Sequence, residues 1–155
     1  MKVLLFCLTS MLMLFQPAFS YELHVNCGGD SLNSRDYGFP FGADTGFSGG
    51  ETYRTQQAHL MIDTIDRMLY CTGRKGCFAY SFPVTPGWYI LRLGFSETIL
   101  HATGQRVLSV ICEGDTILKD LDILTHRRGF YPVVFAKAVE VIDPQIDIEF
   151  AASDS

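Results

Sequence analysis

The sequence predicts a single all-β domain, a β-sandwich with long loops. Three observations predict it. Several stretches alternate apolar and polar residues with a period of two. Short runs of Gly, Pro, Asn and Asp punctuate them at regular intervals, the pattern of many short strands joined by turns. The chain of 155 residues also has the length of one domain, enough to bury a sandwich core without metals.

In chain order, Glu22 to Asn26 reads as a short first strand, broken by Cys27-Gly28-Gly29-Asp30. Ser31 to Gly50 is rich in Gly, Ser, Asp and aromatics, which describes long ordered loops. Tyr37, Phe39, Phe41 and Phe47 are too apolar for disorder and are expected to pin these loops to the sheet edge. Thr52 to Gln57 reads as a short strand. His59 to Leu69 has no clean period and reads as a loop or one helical turn. Met68–Cys71 and Cys77–Pro83 read as a hairpin around Gly73–Gly76, with Phe78, Tyr80 and Phe82 on one face.

Pro83 to Gly87 is a turn. It launches the strongest strand signal in the chain, Gly87 to Phe95. Tyr89, Leu91, Leu93 and Phe95 share one face, and Trp88, Ile90, Arg92 and Gly94 the other. Apolar residues on both faces predict a central strand covered on both sides. Val107 to Cys112 reads as the next strand of that central pair. The intervening loop, Thr98 to Gly104, is a natural place for a binding site on a rigid sheet. Glu113-Gly114-Asp115 is a tight hairpin turn, and Thr116 to Leu118 a short strand. Thr125 to Gly129 is a polar loop, Tyr131 to Val141 one strand or two, and Asp143-Pro144 a turn. Ile146, Ile148 and Phe150 alternate with Asp147 and Glu149 in a last strand with one wet face.

Residues 1–20 are set apart from this domain. Lys2 precedes an apolar run from Val3 to Phe15, and Ala18-Phe19-Ser20 suits signal peptidase, so cleavage is expected after Ser20. The domain is then 21–155. No later segment is apolar enough to span a bilayer, so the mature chain is expected to be soluble in the secretory pathway, either secreted or in the lumen of the endoplasmic reticulum. The C-terminus carries no KDEL-like signal, and neither Asn26 nor Asn33 opens a glycosylation sequon.

Removing Lys2 from 12 basic residues leaves 11 against 17 acidic ones, a net charge of −6. An acidic chain without basic clusters argues against nucleic acid and anionic membranes as partners. Cys27, Cys71, Cys77 and Cys112 remain in an oxidising compartment, an even number with three possible connectivities. A loop-closing Cys71–Cys77 bridge is the simplest, which leaves Cys27 with Cys112. Their spacing is not that of a zinc site, and His24, His59, His101 and His126 have no zinc spacing either. No cofactor is expected.

Seven short motifs, in order, resemble the malectin and malectin-like family. They are Asn26-Cys27-Gly28-Gly29; Ala43-Asp44-Thr45-Gly46 followed by Gly49-Gly50; Leu69 to Arg74; Phe78 to Pro83; Gly87 to Glu97; Gly104-Gln105-Arg106-Val107; and Asp120-Leu121-Asp122-Ile123. The resemblance implies a β-sandwich of the carbohydrate-binding-module kind. It implies a lectin-like function toward a glycan or glycoprotein, as in the family's lectin of the endoplasmic reticulum, which binds glucose-capped high-mannose glycans. Plant relatives are receptor ectodomains, some of which bind peptides.

In the family, aromatic side chains on loops hold the sugar, because pyranose C–H faces are apolar while hydroxyls need oriented polar partners. Carried over motif by motif, Tyr53 matches one ring. Lys75 stands where a second ring would be, and Ile99 and Leu100 replace an aromatic pair. The final strand and its aspartate are missing after Phe150, which would leave an exposed sheet edge there. Two readings follow: a carbohydrate-binding module with Tyr53, Lys75, Ile99 and Leu100 as its site, of the family's specificity or an altered one, or a sandwich with a lost sugar site that binds a protein or peptide. Catalysis is not expected. Glu97, Asp120, Asp122 and Asp143 are carboxylates of the type that cleaves glycosides, but the first three lie in motifs the family uses as scaffold.

Overall fold

The computed structural model describes residues 22–154; the expected signal segment, residues 1–20, lies outside the described residues. The chain folds into nine strands: β1 (Leu32–Asn33), β2 (Pro40–Phe41), β3 (Phe47–Arg54), β4 (Thr72–Pro83), β5 (Gly87–Phe95), β6 (Arg106–Cys112), β7 (Asp115–Leu121), β8 (Val133–Val141) and β9 (Gln145–Asp154). A four-residue helix, α1 (Ile123–His126), follows β7. Two short 3-10 turns, Ala58–Leu60 and Arg67–Tyr70, occupy the stretch that has no clean period.

One sheet has the order β3-β4-β9-β6-β7, a second pairs β5 with β8, and β1 with β2 makes a small third. All strand pairs are antiparallel. The alternation in the sequence sets the two layers. Tyr80, Val110, Ile146 and Ile148 of the large sheet pack against Val139 and Val141 of β8. Tyr89, Leu91, Leu93 and Phe95 of β5 close on the same core. A smaller cluster of Met61, Tyr70 and Cys71, with Phe130 against it, lies under the loops at one end. The β-sandwich expected from the sequence is the fold found.

Several placements differ from expectation. The first strand is reduced to one bridge, Val25 to Gly42. Met68–Cys71 and Cys77–Pro83 are not a hairpin. The backbone runs through Gly73–Gly76 as one strand because β3 pairs with it from Thr72 to Tyr80, and the irregularity is a bulge between Gly49 and Glu51. Cys71 and Cys77 are therefore held roughly 15–20 Å apart along an extended chain, far beyond the roughly 7 Å that a disulfide spans. The four cysteines among the described residues are free thiols, so neither the Cys71–Cys77 nor the Cys27–Cys112 bridge is present.

Strands β5 and β6 are not a central pair either. They lie in different sheets, and β5 has β8 as its single neighbour among the described residues. Its second face, carrying Trp88 and Ile90, is exposed rather than covered. Apolar residues on two faces mimic a buried strand, and only the tertiary arrangement shows which face is wet.

The last strand does not stop at Phe150. β9 continues to Asp154: it pairs with β4 from Gln145 to Phe150 and with β6 from Ile148 to Asp154, so past Phe150 it is paired on the β6 side and leaves the edge toward β4 open among the described residues. Its wet face is as expected, with Ile146 and Ile148 buried and Gln145 and Glu149 exposed. The Glu113-Gly114 turn also forms as expected. Both residues have positive φ, 53° and 80°, the two-residue geometry that fits the twist of a hairpin between β6 and β7.

Candidate functional site

The loops at the end of the sandwich nearest Tyr53 are laced together by backbone hydrogen bonds. The Ile62 N–H donates to the Phe130 carbonyl at 3.0 Å, and the Phe130 N–H donates to the Glu97 carbonyl at 2.8 Å. Three segments distant in sequence, around residues 62, 97 and 130, are thereby held in one place.

Glu97 organises this end. Its side chain is buried, and its Oε1 accepts from the N–H groups of Ile99 (2.8 Å) and Leu100 (3.0 Å). Its Oε2 pairs with Arg106 Nη1 at 2.5 Å. A buried carboxylate needs this degree of pairing. The bonds fix the backbone of the Thr98–Gly104 loop at its start. Asp122 fixes its end: Oδ2 accepts from Gly104 N–H at 2.6 Å, while Oδ1 caps α1 by accepting from Leu124 N–H at 2.9 Å. Both carboxylates act as scaffold, as the motifs implied.

Tyr53 sits where β3 meets this loop. It pairs with Gly73 of β4, and its ring lies against that glycine. A Cβ on Gly73 would fall 2.7 Å from Tyr53 Cε1, so no side chain fits there. The hydroxyl lies beside Thr98, Glu97 and Arg106. Burial, and next the charge of Glu97, push its phenol above the ordinary tyrosine value. Thr98 Oγ1 is buried, and the Tyr53 hydroxyl is its polar neighbour, without a well-formed hydrogen bond between them among the described residues. Such a group calls for an explanation in a native structure.

The four expected site residues are only partly united. Tyr53 and the loop bearing Ile99 and Leu100 come together through Thr98. Ile99 is exposed and Leu100 half-buried. Lys75 lies two residues further along β4 and is engaged with Glu51, its register partner, at 3.3 Å. No aromatic ring stacks on Tyr53 among the described residues. Exposed aliphatic side chains, Leu60 and Ile62, project from the segment laced to Phe130. Arg106 lies within the Gly104–Val107 motif and Thr98 opens the loop after Glu97, but the role of each depends on contacts between remote segments that the sequence does not show.

A second polar centre supports the fold nearby. Arg74 pairs with Asp44 through Nη2 (2.7 Å) and Nε (2.8 Å), and Tyr80 donates to Asp44 at 2.6 Å. The Phe47 ring stacks on the Arg74 guanidinium at 3.3 Å. An open groove of about 400 Å³ runs elsewhere, over β3, β4 and β9, past Ser48, Cys77, Ala79 and Glu149. It lacks convergent polar groups.

Residues 21–154 match the family model for the Malectin domain. The chain belongs to the malectin family. Malectin-A of Xenopus laevis is 39% identical over 61 residues, which covers 37% of this chain and 22% of that protein. Among solved structures, Bacteroides uniformis beta-glucuronidase 2 superposes with a TM-score of 0.73 at 20% identity, over 86% of this chain and 16% of its own. The ANX1 ectodomain of Arabidopsis thaliana superposes with a TM-score of 0.71 at 18% identity, over 83% of this chain and 42% of its own. At such identities the structures share the fold. This malectin domain spans about a fifth of the curated relative and less than half of either solved chain.

Within the malectin fold, the described residues hold no cluster of three or more His, Cys, Asp or Glu suited to a metal. No described helix is long and apolar enough to cross a membrane.

Proposed function

We propose that the chain is a non-catalytic carbohydrate-binding module of the secretory pathway, with a weak site formed by Tyr53, Thr98, Ile99 and Leu100 and edged by Lys75. The observation that carries this reading is the Tyr53 ring laid on Gly73 with its hydroxyl beside the buried Thr98 hydroxyl and the Glu97–Arg106 pair. An apolar face next to fixed polar groups is what a pyranose needs. Malectin membership and the extracellular nature of the ANX1 ectodomain support the ligand class and the compartment.

The carboxylates argue against catalysis. Both oxygens of Glu97 and Asp122 are occupied by backbone or arginine donors, Asp120 is exposed on β7, and Asp143 accepts from Gln145 N–H in a turn.

One ring in place of several reduces stacking. At about 0.5–1.5 kcal/mol per ring, losing two or three weakens binding roughly ten- to a thousandfold. Glucose-capped high-mannose glycans are therefore expected to bind weakly. Titration calorimetry with a glucose disaccharide tests this. Lys75→Tyr, Ile99→Tyr and Leu100→Phe together should strengthen binding, and Tyr53→Ala should abolish it. Tight wild-type binding, or binding indifferent to Tyr53, counts against the site.

A second reading, a protein- or peptide-binding module, is favoured by the exposed aliphatic residues Leu60, Ile62 and Ile99 on the laced loops. No gain in the triple variant, with a folded protein, would move that reading ahead.

A further inference from the structure

We propose that the exposed face of the β5–β8 sheet is a self-association surface, on which a second copy of this chain packs face to face. This does not rest on the sugar site, which lies on β3 and the loops after β5.

Two of the four most exposed large hydrophobic residues in the described chain, Trp88 at 71% and Ile90 at 62%, lie on this face, and the most exposed of all, Ile142 at 82%, directly follows β8. Scattered single exposures are ordinary; clustering of the largest ones marks an interaction surface. Register places them in successive rows. Trp88 is opposite Glu140, Ile90 opposite Ala138, Arg92 opposite Ala136, and Gly94 opposite Val134. Ile142 continues the row beyond Glu140 on the same side of the backbone. Tyr70 rests over Gly94, 3.4 Å from where a Cβ would stand, and bounds the face at its far end.

The charges choose the occupant. Arg92 and Glu140 are the charged groups of this face, and neither forms an ion pair within the described chain. They are two rows apart, about 13 Å, too far to meet each other. A two-fold axis in the interface, perpendicular to the strands and passing through the Ile90–Ala138 row, pairs every row with a suitable one. Trp88 then lies over the partner's Arg92, whose guanidinium reaches Glu140 one strand spacing, about 5 Å, to the side. Ile90 meets the partner's Ile90. Ile142 meets the partner's Val134. The small residues Ala136 and Ala138 leave room for the tryptophan at the spacing of about 10 Å that packed sheets adopt. A self-complementary patch of this kind is what an isologous dimer requires.

Sedimentation equilibrium on the full chain from about 1 to about 300 µM tests the proposal. The wild type is expected to dimerise with a micromolar Kd. Arg92→Glu and Glu140→Arg alone should each weaken the dimer by at least about tenfold. Mixing the two variants one to one should restore a dimer, because each partner then meets an opposite charge at both contacts. Thermal melts of the single variants should match wild type, which separates a lost contact from a lost fold. A wild type that stays monomeric throughout, a dimer insensitive to both swaps, or a mixture no tighter than its components overturns the proposal.

Discussion

Asp66 shows how a single buried carboxylate orders a loop. Its oxygens accept from the Ser34 hydroxyl and from the N–H groups of Arg35 (2.9 Å) and Asp36 (2.8 Å). Asp36 returns the bond by accepting from the Ile65 N–H at 3.0 Å. Burial alone would raise the pKa of Asp66, but the Ser34 hydroxyl and the two backbone donors outweigh it and hold the group below the ordinary carboxylate value. A folded pKa below the unfolded value of about 3.9 gives stability that is present above that pH and lost as pH falls through the folded pKa. Asp66→Asn is expected to cost about 1–3 kcal/mol at neutral pH, with the difference from wild type shrinking below about pH 4. Urea titrations at a series of pH values check this; a gap that stays constant into acid contradicts it.

The cysteines make a second statement at this scale. Cys71 and Cys112 are buried, and burial, followed by the charges of Glu113 and Asp147, pushes the Cys112 thiol up to about 11. Cys77 is exposed on β4. A neutral-pH alkylating reagent should label Cys77 in the native protein and reach Cys71 and Cys112 only after unfolding. Peptide mapping that finds Cys77 joined to Cys71 contradicts the geometry of β4. An even count of cysteines suggested bridges, but no spacing rule reveals that an extended strand separates a pair.

Among the elements, α1 and the Thr98–Gly104 loop depend on one side chain. Asp122 caps the helix and also holds Gly104. Asp122→Ala should cost about 1–3 kcal/mol, more than a cap alone, because Gly104 N–H loses its partner as well. Chemical denaturation measures this; a loss of only a few tenths would show that the loop stands without it. The strands themselves were largely legible. Gly87–Phe95 and the β6–β7 turn follow from period two and from Glu113-Gly114. What was not legible is which sheet each strand enters. β5 and β6 adjoin in sequence but lie in different layers, because the core packs Val139 and Val141 of β8 against Val110 and Ile148. The hairpin expected at Gly73–Gly76 failed for a related reason: two glycines signal a turn, but a partner strand along the whole segment keeps it straight.

At the scale of the molecule, the sandwich carries its candidate site on loops fixed by Glu97 and Asp122 and leaves the outer face of β5–β8 bare. Tyr53 enters the candidate site through its place after the Gly49-Gly50 loop, as the family resemblance implies. The roles of Thr98 and Arg106 and the lacing of Ile62, Phe130 and Glu97 were not legible in the sequence, since they arise only when segments far apart in sequence meet. The most direct test of the central claim is a titration of isotope-labelled protein with a glucose disaccharide up to about 10 mM, followed by amide chemical shifts. The expected result is a weak, saturable response confined to Gly73, Thr98, Ile99 and Leu100 and absent in Tyr53→Ala. An unresponsive spectrum, or shifts centred on the groove beside Cys77 and Ala79, would contradict it.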